Sequence, residues 1–367
     1  MKKERLSGEP SLLRLGSGEP LSPEERRQYG IIAGQITRDA RQQAKGTKCF
    51  ICEKDATSFC NSHSVPQFVL ERVAENGKVS MSLQGEIPTL DKEMGISQAG
   101  TFRLICSDCD KHCFSDYEDP KTLLEKPSER ILMEIALKNY VHMISNRRNE
   151  NALYDILEQR SYNFLSYPLT GETIEEMDAR DYQKKASVVL NALRKKKQGL
   201  YYLRFFMVLD YVVPYACQSF FPVIVDFEGR IINNIYLLTP DNNMSELHVV
   251  VFPLETKSVV ILFTETKADR YGRFFKDFNK LPLEDQLAVI NYLIFSYTEN
   301  VFLNPKTFAQ LKEDEAFVDV CQKCTMAVYS TDDPTEETGS PLPLAAKEFA
   351  LEKRFEIPNL LSEQYAL

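Results

Sequence analysis

With 367 residues, 43% of them hydrophobic, the chain can fill more than one core and is expected to fold as two units. A formal charge of -9 argues against a protein that coats nucleic acid over its whole surface, because phosphate affinity comes mainly from Lys and Arg. Nine cysteines in so long a chain, with no apolar stretch after Met1-Lys2-Lys3-Glu4-Arg5, do not fit a small disulfide-framed secreted module. A cytoplasmic protein is expected, without a membrane span, since the most apolar segments (201–217 and 247–263) carry Arg204, Asp210, Glu255 and Lys257.

Residues 1–22 are rich in Gly, Ser, Pro and charge and read as a flexible tail. Ser22-Pro23-Glu24-Glu25 then opens a helix that should run to about Lys45: a good N-cap, a proline in the first turn and two acids at the positive end of the dipole. From 47 to about 120 the pattern is short, turn-rich and punctuated by Cys and His. It has too little apolar periodicity for a core of its own, so metal is expected to help it fold. A polar insertion between Glu71 and Gly100 should form a hairpin or loop. Residues 121–199 read as a helical connector, with one helix from Pro127-Ser128-Glu129 to about Ser145. Another starts at Thr173, where Thr173 and Glu176 have capping-box spacing, and continues to the basic run Arg194-Lys195-Lys196-Lys197.

After Leu200 the period changes. Residues 201–213, 220–227, 230–238, 246–253 and 257–265 are rich in Val, Ile, Phe and Tyr. Turn signals such as Glu228-Gly229 and Pro240-Asp241 separate them, which predicts a sheet of mostly antiparallel neighbours. Helices are expected at 267–279, 283–298, 316–329 and 344–354, with an acidic loop at 330–343. His142, His248 and Cys217 read as packed residues, and so do Cys321 and Cys324, whose C-x2-C pair has no second pair or His nearby.

The strongest chemical signal is Cys49-x2-Cys52 with Cys106-x2-Cys109. Each pair lets two thiolates from one tight turn reach the same ion, and two such turns complete a tetrahedral zinc site. Cys60, His63, His112 and Cys113 interleave with these four, and Cys60-x2-His63 leaves open a second zinc site.

The order C-x2-C, then Ser62-His63-Ser64-Val65-Pro66, then C-x2-C opening a helix resembles the HNH endonucleases of the ββα-metal, treble-clef fold over about residues 47–120. The resemblance implies a treble-clef-like zinc module within 23–120; with the helical connector at 121–199 and the antiparallel-sheet domain with flanking helices at 200–367 read from the residue patterns above, an α+β chain is expected. The resemblance also implies His63 as general base. A divalent ion such as Mg or Mn would sit at Asp110 and at the position before the base, here Ser62, with His112 or Glu118 supplying further ligands. Ser62 and Thr101 depart from the family's usual carboxylate and Asn. The expected activity is metal-dependent hydrolysis of nucleic-acid phosphodiesters, DNA foremost, with the C-terminal domain free to take a protein partner. The competing reading is an inactive zinc module that binds protein or nucleic acid.

Overall fold

In the computed structural model, residues 23–55, 59–81, 93–159, 174–237, 242–326 and 342–367 are described. The tail at 1–22, the Thr173 cap, the Pro240-Asp241 turn, most of the acidic loop and the Cys324 side chain lie outside them. In chain order the elements are α1 (Pro23–Gln43), β1 (Ser62–His63), α2 (Gln67–Val73), β2 (Lys78–Met81), β3 (Met94–Gly95), β4 (Thr101–Phe102), α3 (Ser107–Cys113), α4 (Pro120–Leu123), α5 (Glu129–Gln159) and α6 (Ile174–Arg194). There follow β5 (Tyr201–Leu209), β6 (Tyr215–Phe221), β7 (Leu247–Pro253), β8 (Ser258–Glu265), α7 (Gly272–Phe278), α8 (Leu283–Tyr297), β9 (Val301–Leu303), α9 (Pro305–Leu311), α10 (Glu315–Met326) and α11 (Leu342–Glu348).

The chain is α+β. Seven strands in the order β3-β2-β9-β6-β7-β8-β5 pair antiparallel throughout, and β1 and β4 form a separate two-stranded ribbon. Strands β6 and β7 are buried along their whole length and β8 along nearly all of it, although antiparallel sheets commonly leave one face wet. The reason is that both faces are covered. Ala216, Phe220, Val250, Phe252, Val259 and Ile261 pack toward α5, α6 and the cysteine module, while their alternates Cys217, Phe221, Val249, Val251, Val260 and Leu262 pack toward α7, α8 and α10.

Two departures from the sequence reading matter for the site. No strand forms among the described residues of this segment, 230–237: an isolated bridge, Val225 to Ile231, takes its place, because the Asn233 amide takes over the local backbone. It donates to the Val223 and Ser245 carbonyls and accepts from the Ser245 N–H. Conversely, the polar 71–100 segment forms a hairpin as expected, but its β2 also joins the main sheet through β9, with Ser80 opposite Leu303. The sheet therefore runs from the cysteine region into the C-terminal half, and one core cluster extends from Cys49 to Phe302. Gly100 fits this junction because it sits at φ +62° and a Cβ there would meet Ser64 Oγ at 2.4 Å and the Phe302 ring at 2.7 Å. Among the described residues no helix is long and apolar enough to cross a membrane.

Candidate metal centre

The first cysteine pair sits in a knuckle. Lys48 and Asp55 bridge antiparallel, Cys49 N–H donates to the Lys54 carbonyl, and Glu53 takes a left-handed φ of 60° as its N–H returns to the Cys49 carbonyl. The second pair comes from the start of α3, where Cys106 is the N-cap and Asp110 N–H already donates back to its carbonyl. A backbone bond from Phe50 N–H to the Leu104 carbonyl holds the two turns together.

All four sulfurs lie within 4.8 Å of one another, and Cys52 Sγ is 3.9 Å from Cys106 Sγ. Tetrahedral thiolates about 2.3 Å from a zinc ion stand about 3.8 Å apart, so the donor set can hold a metal such as zinc. Electrostatics also fit. Burial opposes ionising Cys49, but the N–H groups of Cys106, Cys52 and Ile51 outweigh it and bring the thiol down to about 7. Burial and the neighbouring sulfurs push Cys109 up. Four thiolates at this separation require a cation among them.

Cys60 and His63 do not assemble a second such set, and the four-cysteine cluster is the one candidate metal group among the described residues. The Cys60 thiol donates to the Ile105 carbonyl at 3.2 Å and is pushed up to about 12, by burial first and then by Asp110. His63, on β1 opposite Thr101 of β4, places Nε2 3.0 Å from the Ile96 carbonyl. A carbonyl only accepts, so Nε2 carries the proton and Nδ1 is an acceptor. Burial holds this imidazole below its usual range, with the Ile96 carbonyl opposing. His112 lies elsewhere on α3, exposed, with Nδ1 2.6 Å from the Asp108 carbonyl of its own turn.

Asp110 and Ser62 meet, and the cation between them belongs to the chain. Lys138 Nζ, on α5 and 1% exposed, donates to Asp110 Oδ1 at 2.7 Å and Ser62 Oγ at 2.9 Å, and pairs with Glu118 Oε1 at 3.1 Å. Ser62 Oγ in turn donates to Asp110 Oδ1 at 2.5 Å, and the ammonium lies 4.0 Å from the centre of the Phe114 ring. An ammonium has three N–H donors, and here all three are taken. Neither the cysteine spacing nor the resemblance points to Lys138. Its signal is a Glu and a Lys four residues apart inside the apolar run Ile131-Leu132-Met133-Glu134-Ile135-Ala136-Leu137-Lys138, where a charge survives only if it meets a partner off the helix. Glu134 meets its own partners, accepting from the Asp116 and Tyr117 N–H groups.

The remaining histidines are packed. His248 is buried among Tyr140, Tyr201, Phe220 and Phe263 with Nδ1 near the Asn139 amide, and His142 packs by Phe102. Burial lowers both, His142 to about 4. A folded-state pKa below the unfolded value means the unfolded chain binds more protons as pH falls, so stability should drop from about pH 6.5 downward. Each imidazole contributes about 1.4 kcal/mol per pH unit, for His142 until about pH 4. Denaturant midpoints across this window check it: His142→Gln should flatten the slope, and an unchanged slope would show that His142 takes its proton normally in the fold.

No protein-family model matches the chain, and neither does any curated protein or solved structure.

Proposed function

We propose that this chain is a zinc-braced binding module built on a treble-clef-like, HNH-like frame, in which an internal ammonium stands where a nuclease would hold its divalent ion. The observation that carries the reading is the saturation of Lys138 by Ser62, Asp110 and Glu118. Metal-dependent hydrolysis of a phosphodiester needs a cation with an open position facing the scissile phosphate. Lys138 has neither a spare donor nor solvent exposure, so it cannot take over that task. On this reading zinc at Cys49, Cys52, Cys106 and Cys109 shapes a surface, and the chain binds without cleaving.

One observation favours the second reading, a metal-dependent nuclease: the acceptor Nδ1 of His63, whose partner nitrogen is fixed by Ile96, is suited to take a proton from water. Incubating plasmid and oligonucleotides with the protein and added Mg or Mn separates the two. The expected result is one tightly held zinc per chain and no cleavage by either the wild type or His63→Ala. Cleavage by the wild type that His63→Ala abolishes would replace the first reading with the second.

A further inference from the structure

The basic run that closes α6 is built into the structure in an unusual way. The helix ends in a Schellman motif: Lys197 N–H donates to the Ala192 carbonyl at 2.9 Å and Lys196 N–H to the Leu193 carbonyl at 3.3 Å. The left-handed position of that motif ordinarily belongs to Gly or Asn, yet Lys196 occupies it at φ 51°. A cation kept where glycine would cost less is a local rule broken, and such positions cluster at functional sites.

The segment is also held rigidly. The Glu129 carboxylate accepts the N–H groups of Gly199, Leu200 and Tyr201, and Arg194 reaches across to the Ile51 carbonyl in the metal knuckle at 2.5 Å. Two open clefts of about 420 and 600 Å³ adjoin here and share Val188 and Leu200 in their floor; Val188 is 55% exposed. Lys195 and Lys197 line the first, and Lys267 and Arg270, just past the end of β8, line the second. None of these four makes an ion pair among the described residues, whereas Lys185 beside them is bound to Glu246. Glu265 and Asp269 also line the second cleft, but in a chain of net charge -9 four cations outside any ion pair still leave a local surplus of positive charge along the trough.

We infer that this trough, between the C-terminal half of α6 and the outer end of β5 and β8, binds the phosphate backbone of a single-stranded nucleic acid. From Lys184 to Lys195 the helix alone extends about 16 Å, too long for one phosphate and suited to several successive ones. An apolar floor flanked by free cations fits unpaired bases and their phosphates. The inference deepens the reading as a binding module by naming the partner class, and it depends on that reading only in that the strand is held and not cut.

The test is anisotropy of a fluorescein-labelled oligothymidylate with the full, zinc-loaded chain over a salt series, for the wild type, K195E/K197E, K267E/R270E and K312E. Lys312 follows α9, which packs at the opposite edge of the sheet. Each double variant should weaken binding at least tenfold and flatten the salt dependence by roughly 0.7 in log–log slope per lost contact, while K312E binds as the wild type does. Zinc content and circular dichroism identify variants that misfold; for any such variant K195Q/K197Q or K267Q/R270Q, expected to weaken binding in the same direction, replaces it. Undiminished binding by both double variants, or equal displacement by polyglutamate, overturns the trough assignment. Cleavage of the oligonucleotide by the wild type would instead sink the non-hydrolytic reading and leave the trough standing.

Discussion

Removing the metal, by chelation or by Cys106→Ser, should lower the free energy of unfolding by about 4 kcal/mol or more, the stabilisation expected from a ligand present at a thousand times its dissociation constant. Cys106 supplies a sulfur 3.9 Å from that of Cys52 of the other turn, so the substitution removes a ligand through which the ion ties the two turns together. The loss should be uneven. Cys49 is 1% exposed and lies in one core with Ile51, Leu104 and Ile105, which rest on α5, whereas β7 and β8 are paired along their length and packed on both faces. Hydrogen exchange should therefore rise in the knuckle and in α3 while the sheet stays protected. Arg194 should lose its hold on the Ile51 carbonyl at the same time, which couples metal to the basic trough. Elemental analysis giving one zinc per chain, together with denaturant curves in chelator and in zinc, checks the claim. Coincident curves, with exchange unchanged in the knuckle, would mean that the four sulfurs need no ion.

The four-cysteine cluster and the antiparallel sheet were legible in the sequence because each rests on short-range spacing: C-x2-C turns, and alternating apolar runs broken by Gly, Pro and Asn. What the sequence hid is long-range. Strand β9 is three residues between α8 and the Asn304 cap, too short to show a period, yet it joins the hairpin of 78–95 to β6. The segment 230–238 has strand composition but is claimed by the side chain of Asn233. Asp110 and Ser62 could be placed together from motif order, but the group between them comes from α5, 28 residues beyond Asp110. No local pattern states which carboxylate a helical lysine will find.

That lysine gives the sharpest test of the site. Lys138→Met keeps roughly the length and volume of the side chain but leaves Asp110 and Glu118, 24% and 33% exposed, without their counter-ion and Ser62 without a donor. Breaking a buried pair from one side costs about 3–5 kcal/mol; partial exposure of both carboxylates puts the expected loss near the lower end, about 3 kcal/mol in metal-free buffer at neutral pH. Two carboxylates and a hydroxyl around the place the ammonium leaves are hard oxygen ligands, so Mn or Mg should restore part of the loss in Lys138→Met while leaving the wild type unmoved. Neutralising the carboxylates as well, in Lys138→Met with Asp110→Asn and Glu118→Gln, should recover stability without any ion, since the penalty lies in the unpaired charges. Thermal melts of the three proteins with and without Mn distinguish these outcomes. An equal upward shift for the wild type would show that a divalent ion displaces the ammonium, and the pocket would then be an open metal site after all. No shift in Lys138→Met would show that its carboxylates are satisfied by water and that the ammonium fills no place a metal could use.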